Sequence, residues 1–469
     1  MIRFGTDGWR AIIAREFNFD NVGRVARALS KYLLESNKRI NGVVISYDTR
    51  FLSDQFALHF ARVVASNNIP VVLSSKFTPT PVLSFAVKQL GLNAGVMVTA
   101  SHNPYFYNGI KFKASYGGPV LDDFVQQIEK RIESIVAPID EKRVRQNIQY
   151  LDLTKAYFEH LKKVLRVEVV EKFYDLLAYD AMHGCGIGFL QHFFEEFGLK
   201  AKYLRHEENP LFSRGRPEPI PENLLDLQTL VREQAMGLGL ATDGDADRCA
   251  VIDDQGLFVE LHDLMPLLAR YLIKERKFPG DFVRTTSLHP TIDRLASTFN
   301  RRVKEVPVGF KNVTEQMLAE NILIGGEESG GFGYGFHLPE RDGILTVLLV
   351  LEMLAYYQVK ISELVSELRQ KFGPFFYLRK DISQQNSKIL IRNLKRLREN
   401  IPERVVKQQV TDFSLKDGLK LYLNNDCWIL IRVSQTEPLA RIYVAGRDEQ
   451  TVRSVMKWGV EQITEDTNH

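Results

Sequence analysis

Along the first third of the chain, apolar residues alternate between helical spacing and short continuous runs. Val22, Val25, Ala26, Leu29 and Leu33 share one helical face, residues 42–46 form an apolar run of strand length, and Phe56, Phe60, Val63 and Val64 return to helical spacing. The run 71–73, a helix after Pro81 and a strand over Ala94–Val98 continue the alternation. Strands separated by helices predict a mainly parallel sheet covered on both faces, since a helix must carry the chain back before the next parallel strand begins. The same grammar restarts twice. Residues 173–180 read as a strand, 189–197 as a helix and 237–241 as a strand, and 282–286, 302–308 and 322–325 are the strands of a third unit. After Gly373 and Pro374 the pattern changes to a charged amphipathic helix over 388–399, paired alternating strands over 428–432 and 441–444, and a helix over 452–463. The expected class is α/β: three related mixed-sheet α/β domains and a C-terminal α+β domain. The expected divisions are 1–140, 150–252, 253–370 and 375–469.

Length agrees with several domains, because 469 residues exceed one hydrophobic core and about 150 residues per domain gives three or four. Apolar content of 45% and charged content of 25% are ordinary for a soluble globular protein. A formal charge of +3 without a basic run argues against nucleic acid as a partner and is compatible with a small anionic metabolite. Cys185, Cys249 and Cys427 are odd in number, far apart and without metal-ligand spacing, so they read as buried thiols in a reducing compartment. The N-terminus lacks the apolar core of a signal peptide and no stretch reaches the length of a membrane span, so no membrane partner and a cytoplasmic location are expected.

Candidate chemistry sits where strands end. The strand Ala94–Val98 runs into Thr99-Ala100-Ser101-His102-Asn103-Pro104, placing a serine beyond the carboxyl end of a strand, where open α/β sheets bind ligands. A lone serine there would most often be a helix cap. A second loop changes that reading: Asp243, Asp245 and Asp247 alternate with Gly244 and Ala246 after the apolar run 238–241. In an extended segment alternate residues face one side, so the three carboxylates are expected to converge on a divalent cation, with Mg²⁺ suited to hard oxygen ligands. A calcium EF-hand is excluded by Arg248 at the sixth position, where that loop needs glycine. The less favoured reading is a solvated acidic turn. A serine nucleophile with a carboxylate cage suggests phosphoryl transfer.

His102 is positioned either to donate to a phosphate on Ser101 or to fix the loop. Lys111, reached through Asn108 and Gly109, reads as a charge clamp, as an acid/base if its pKa is depressed, or as a surface lysine. In residues 326–331 two adjacent glutamates would repel a phosphate, so Glu327 and Ser329, expected to face the same way, read as a clamp for sugar hydroxyls; the competing reading is a glycine-rich hairpin with solvated acids. Arg432, Ser434 and Thr436, followed by Arg441, supply the donors a phosphate dianion requires.

Together these four loops resemble those of the α-D-phosphohexomutase superfamily, the phosphoglucomutases and phosphomannomutases. Residues 4–10, 48–50, 108–112 and 307–311 are similar as well, so the resemblance covers nearly the whole chain. It implies four domains around a central cleft. It also implies a Ser101 that is phosphorylated at rest, with Mg²⁺ held by Asp243, Asp245, Asp247 and that phosphate. A hexose 1,6-bisphosphate would serve as intermediate and activator, and hexose phosphates as small-molecule partners of a monomer or homodimer. Arg248, Lys311, Glu327, Ser329, Arg432, Ser434, Thr436 and Arg441 would bind substrate, and Lys111, His102 and Arg10 would join Ser101 as catalytic residues. The chain departs from the family pattern at Val433 and Gln435, where proline and glycine are usual, and at Arg341, where some glucose enzymes carry lysine; arginine is a poor proton donor and is not expected to be catalytic. The expected reaction interconverts the 1- and 6-phosphates of glucose, mannose or both. The alternatives are a phosphoglucosamine mutase, a phosphatase and a binding paralogue without turnover.

Overall fold

The computed structural model describes residues 2–36, 39–133, 138–383, 387–433 and 439–464. The chain divides into two compact units, Met1–Val283 with Gly309–Val365, and Arg284–Val308 with Ser366–His469.

In the first unit the leading sheet contains β1 (Trp9–Ile12), β2 (Val43–Tyr47), β3 (Val71–Ser74), β4 (Ala94–Val98), β5 (Tyr107–Ala114) and β6 (Ile148–Leu151), in the order β1-β5-β4-β2-β3-β6. β2, β3, β4 and β6 run parallel, as the alternation predicts, while β5 is antiparallel to both β4 and β1. The loop from Val98 to Tyr107 is too short for a crossover helix, so β5 folds straight back. Val43, Ile45, Val96 and Val98 pack in one core with Val25, Leu29, Phe56 and Phe60 of the covering helices. That packing fixes the carboxyl end of β4, from which Ser101 emerges.

The second region orders its strands β10-β9-β7-β8, with β7 (Leu177–Asp180), β8 (Ala201–Leu204), β9 (Leu238–Thr242) and β10 (Cys249–Ile252). β7 is shorter than the expected strand because residues 173–176 lie outside it: the Phe173 amide closes a turn on the Val170 carbonyl at 2.9 Å. β9 and β10 are an antiparallel pair with Thr242 opposite Cys249, so the aspartate loop is the turn of a hairpin. Farther along come β11 (Asp281–Thr285), β12 (Val303–Val306), β13 (Ile322–Gly326) and β14 (Phe332–Tyr334), of which β13 and β14 pair as a second hairpin. The helix Gly343–Tyr357 is buried along nearly its whole length. No single helix among the described residues is long and apolar enough to cross a membrane.

In the second unit, β15 (Phe376–Ser383), β16 (Arg404–Val405), β17 (Gln408–Ser414), β18 (Leu419–Leu423), β19 (Trp428–Val433) and β20 (Leu439–Gly446) form an antiparallel sheet in the order β15-β20-β19-β18-β17-β16. Leu421, Ile429, Ile431, Ile442 and Val444 share a core with Leu390 and Val455 of the helices Ser387–Glu399 and Glu449–Thr464. β19 and β20 pair as the alternation predicts. All three cysteines are buried and free.

One buried group gives the fold a pH signature. His262, on the helix Leu261–Lys274, is enclosed, and burial pushes its pKa down to about 3. The folded ring stays neutral while the unfolded ring takes up a proton below about 6.5, so stability falls as pH drops from there toward the folded value, by about 2 kcal/mol at pH 5. His262→Leu is expected to flatten the acid limb of a thermal-unfolding profile; superimposable acid limbs would remove His262 as its cause.

Candidate functional site

Ser101 is fully buried and has a φ of +52°, in the left-handed region that costs a non-glycine residue free energy. Its surroundings enforce that conformation. The Ser101 amide donates to Thr99 Oγ1 at 2.8 Å, and the Arg50 guanidinium donates to the carbonyls of Ser101 and Asn103 at 2.6 Å each, Pro104 at 2.9 Å and Tyr107 at 3.0 Å. Arg50 is in turn paired with Asp48 at 3.1 Å, whose carboxylate also accepts from Thr99 at 2.6 Å and Ser53 at 2.7 Å. One arginine therefore gathers the whole serine loop. The result aims Ser101 Oγ at Asp243, to whose Oδ2 it donates at 2.8 Å; His102 Nδ1 lies 3.4 Å from Ser101 Oγ.

The aspartates converge, but by a turn. The expected extended alternation is absent: Ala246 has a φ of +55° and its amide donates to the Asp243 carbonyl at 3.0 Å, while the Asp243 amide meets the Arg248 carbonyl at 3.2 Å. Antiparallel pairing of β9 with β10 requires the chain to reverse here, which an extended segment cannot do. Gly184 permits a close approach behind the turn, since a Cβ there would lie 2.7 Å from the Gly244 carbonyl oxygen. One oxygen each from Asp243, Asp245 and Asp247 falls within a 4.8 Å group, all three residues being fully buried.

Lys111 and Arg341 bring positive charge into this group, with Arg248 at its edge. Lys111 lies on β5 opposite Met97, and its Nζ donates to Asp245 at 2.7 Å and Asp247 at 2.9 Å and lies 3.0 Å from Asp7. Burial would lower the Lys111 pKa, but Asp245, Asp247 and Asp7 outweigh it and raise it, so the ammonium stays charged. Of the readings open to Lys111 from sequence, a surface lysine is ruled out, since Lys111 is fully buried against three carboxylates. Burial acts upward on Asp245 too, yet Lys111 and the hydrogen bond from Thr80 hold it well below the usual carboxylate range. Asp243 goes the other way, raised by burial and by the charges of Asp245 and Asp247. Asp245 Oδ1 and Asp247 Oδ1 are buried with no hydrogen-bond partner. Two orphaned carboxylate oxygens beside a third carboxylate are the hard donor set that a magnesium ion takes, so the residues present fit that ion.

Arg341 ties this group to the glycine-rich hairpin. Its guanidinium donates to Asp247 at 2.6 Å, Asp7 at 2.5 Å and Glu327 at 3.2 Å. Glu327, also buried, accepts from the Gly309 amide at 3.0 Å, and burial raises its pKa. The segment 326–331 is the turn joining β13 to β14, with the Glu327 amide donating to the Gly331 carbonyl at 3.1 Å. The expected common facing of Glu327 and Ser329 rested on extended backbone and is replaced by this reversal; Glu327 turns inward to Arg341, and Ser329 is half-buried in the turn. The acid is enclosed, unlike the solvated acids of the competing hairpin reading.

Other expected site residues have their own partners. Arg10 donates to the Asn103 side chain at 2.7 Å and lies 3.7 Å from Asp7. Arg248 Nε is 3.9 Å from Asp247 Oδ1, and the Arg248 amide donates to Asp243 Oδ1 at 3.1 Å. Lys311 is paired with the exposed Asp122. In the second unit Arg432 donates to Asp417 at 2.7 Å and Arg441 lies 3.5 Å from Asp381. Ser434, Gln435 and Thr436 lie outside the described residues. The sequence reading gave no role to Asp7, Asp48, Arg50 or Thr80, and did not anticipate Arg341 at the centre; segments 4–10 and 48–50 carried a signal through the family resemblance, whereas Thr80 carried none.

Comparison with known proteins agrees with this arrangement over nearly the whole chain. Three family models match in order: phosphoglucomutase/phosphomannomutase alpha/beta/alpha domain I over residues 1–138, domain II over 155–256 and domain III over 261–372. A Thermococcus kodakarensis protein named phosphoglucomutase/phosphomannomutase is 27% identical over 98% of both chains. A Sulfurisphaera tokodaii protein named phosphoglucosamine/phosphogalactosamine mutase is 28% identical over 97% of both. A crystal structure of a Thermus thermophilus protein superimposes with a TM-score of 0.87 at 36% identity, covering 99% of each chain. A buried serine facing a carboxylate triad, on three domains matched in sequence and in fold, places the chain in the phosphoglucomutase/phosphomannomutase family of α-D-phosphohexomutases, as an isomerase that works by intramolecular phosphoryl transfer.

Proposed function

We propose that the chain interconverts the 1- and 6-phosphates of glucose and mannose, with Ser101 carrying the phosphoryl group in transit. The observation that supports this most directly is the Ser101 Oγ to Asp243 hydrogen bond of 2.8 Å beside two unpartnered aspartate oxygens. A phosphoryl group on Ser101 passes to the free hydroxyl of a bound hexose monophosphate: the bond from Oγ to phosphorus breaks, a sugar oxygen to phosphorus bond forms, and the proton the sugar hydroxyl gives up is made up at Oγ, which restores the serine hydroxyl. The resulting 1,6-bisphosphate turns over and returns its other phosphate to Oγ. Asp243, Asp245 and Asp247 would hold Mg²⁺, which when bound supplies charge stabilisation at the phosphoryl oxygens.

The chain's own residues divide the remaining work. Arg50 and the left-handed backbone keep Ser101 Oγ aimed, Lys111 and Arg341 hold the aspartates in register, and His102 is the ring within reach of Oγ for the proton. Glu327 and Ser329, with Arg248 and Lys311, bind the sugar, Lys311 after leaving Asp122. Arg432, Ser434, Thr436 and Arg441 hold the phosphate that is idle. On this reading residues 1–140 carry the phosphoserine, 150–252 the metal, 253–370 the sugar and 375–469 the spectator phosphate.

A coupled assay with Mg²⁺ and a trace of glucose 1,6-bisphosphate tests the proposal by comparing glucose, mannose and glucosamine 1-phosphates at equal concentration. Conversion of the first two to 6-phosphates is the expected result. Conversion of glucosamine 1-phosphate alone would reassign the substrate, and phosphate release as fast as isomer formation would make the protein a phosphatase.

A further inference from the structure

Arg341 reaches the metal and sugar loops at once, so whatever fixes its backbone acts on both. The next residue, Asp342, is fully buried and saturated: its Oδ1 accepts from the Leu345 amide at 2.8 Å, and its Oδ2 accepts from the Tyr157 hydroxyl and from His337 Nε2 at 2.9 Å. His337 is set in turn by His160, whose Nε2 lies 2.9 Å from His337 Nδ1. Tyr157 and His160 belong to the helix Thr154–Val164, whereas His337 and Asp342 come from the segment after β14. Gly343 then presses on the aspartate turn, where a Cβ would meet the Arg248 carbonyl oxygen at 2.5 Å and that of Ala246 at 2.9 Å. On the other side, the Arg341 amide donates to Glu340 at 3.0 Å, and Glu340 is held by Lys113 and Ser84.

We propose that Tyr157 and His337 are positioning residues for phosphoryl transfer: by fixing the Asp342 carboxylate from two sides they set where Arg341 holds Asp247 and Glu327. Neither touches Asp247, Glu327 or Ser101 in its hydrogen bonding; each reaches them through Asp342 and its neighbour. With one of these donors removed the Asp342 carboxylate keeps two but loses a restraint on its rotation, and the backbone that carries Arg341 is held less closely. Residues that orient a ligand-bearing shell in this way typically cost 10–100-fold in metal affinity or activity when changed.

The inference rests on the roles proposed above for Asp247 and Glu327, and its test is separable from theirs. Tyr157→Phe removes one oxygen and leaves the ring in place. It is expected to lower kcat by about tenfold and to weaken Mg²⁺ binding, measured by calorimetry without substrate, by a similar factor. His337→Asn, which keeps a donor, is expected to stay within about threefold of wild type, while His337→Leu behaves like Tyr157→Phe. Wild-type kcat and Mg²⁺ affinity in Tyr157→Phe would overturn the inference even if its Tm fell, and so would equal behaviour of His337→Asn and His337→Leu. A wild-type protein without turnover would overturn the mutase reading instead, leaving the calorimetric comparison to decide this one.

Discussion

Ser101→Ala is expected to lose turnover by about a thousandfold or more while keeping its fold, because the variant lacks the oxygen that carries the phosphoryl group. The fold survives for a local reason. The loop is shaped by Arg50 through four backbone carbonyls, and none of these bonds involves the serine side chain. What is lost is the donor to Asp243 Oδ2 and the 3.4 Å contact with His102 Nδ1. Ser101→Gly makes a sharper companion, since glycine adopts a φ of +52° without cost: it should be equally inactive yet gain up to about 1 kcal/mol in stability. Mass spectrometry of the intact proteins completes the test, with one phosphoryl increment on wild type after incubation with the bisphosphate and none on either variant. Turnover near wild type in Ser101→Ala would end the phosphoserine proposal.

Asp245→Asn is expected to weaken Mg²⁺ binding by one to two orders of magnitude and to lower kcat by about a hundredfold at ordinary Mg²⁺. Asp245 Oδ2 is committed to Lys111 at 2.7 Å and to Thr80 at 2.5 Å, which leaves Oδ1 for the ion. An amide keeps the shape but loses the charge, and one of its two orientations sets an NH₂ group against the Lys111 ammonium. A Mg²⁺ titration superimposable on wild type would remove Asp245 from the metal set. The same titration has a pH sign. Asp243 has a raised pKa, so below that value it carries a proton that the ion must displace, and apparent Mg²⁺ affinity should fall as pH falls toward the ordinary carboxylate range.

Much of this architecture was legible in the chain because its strands are short apolar runs and its helices carry strong apolar faces. β4 has the predicted bounds, and the strands feeding both functional loops begin and end within a residue of expectation. The antiparallel β5 was missed because pattern alone does not tell direction, which the length of the loop after Val98 decides. β17 escaped notice because most of its residues are exposed or only half-buried, leaving no apolar face to read. At the site, residue types announced the chemistry but backbone shape did not follow from them. Both carboxylate loops were read as extended and both are reversals, imposed by the antiparallel partners β10 and β14. Arg341 shows the limit of residue type: as a poor proton donor it was not expected to be catalytic, and nothing in the pattern announced that its planar five-donor group lets one side chain bridge three carboxylates from distant parts of the sequence.

Lys111 bears on how such a protein lives with a changing supply of magnesium. Because an ammonium from the neighbouring sheet pairs with two of the three aspartates, part of their mutual repulsion is offset before any ion binds, and a chelator is expected to silence the enzyme without melting it. Activity would then track free Mg²⁺ as a reversible dial, with no pool of denatured protein forming when the ion is scarce and no resynthesis needed when it returns.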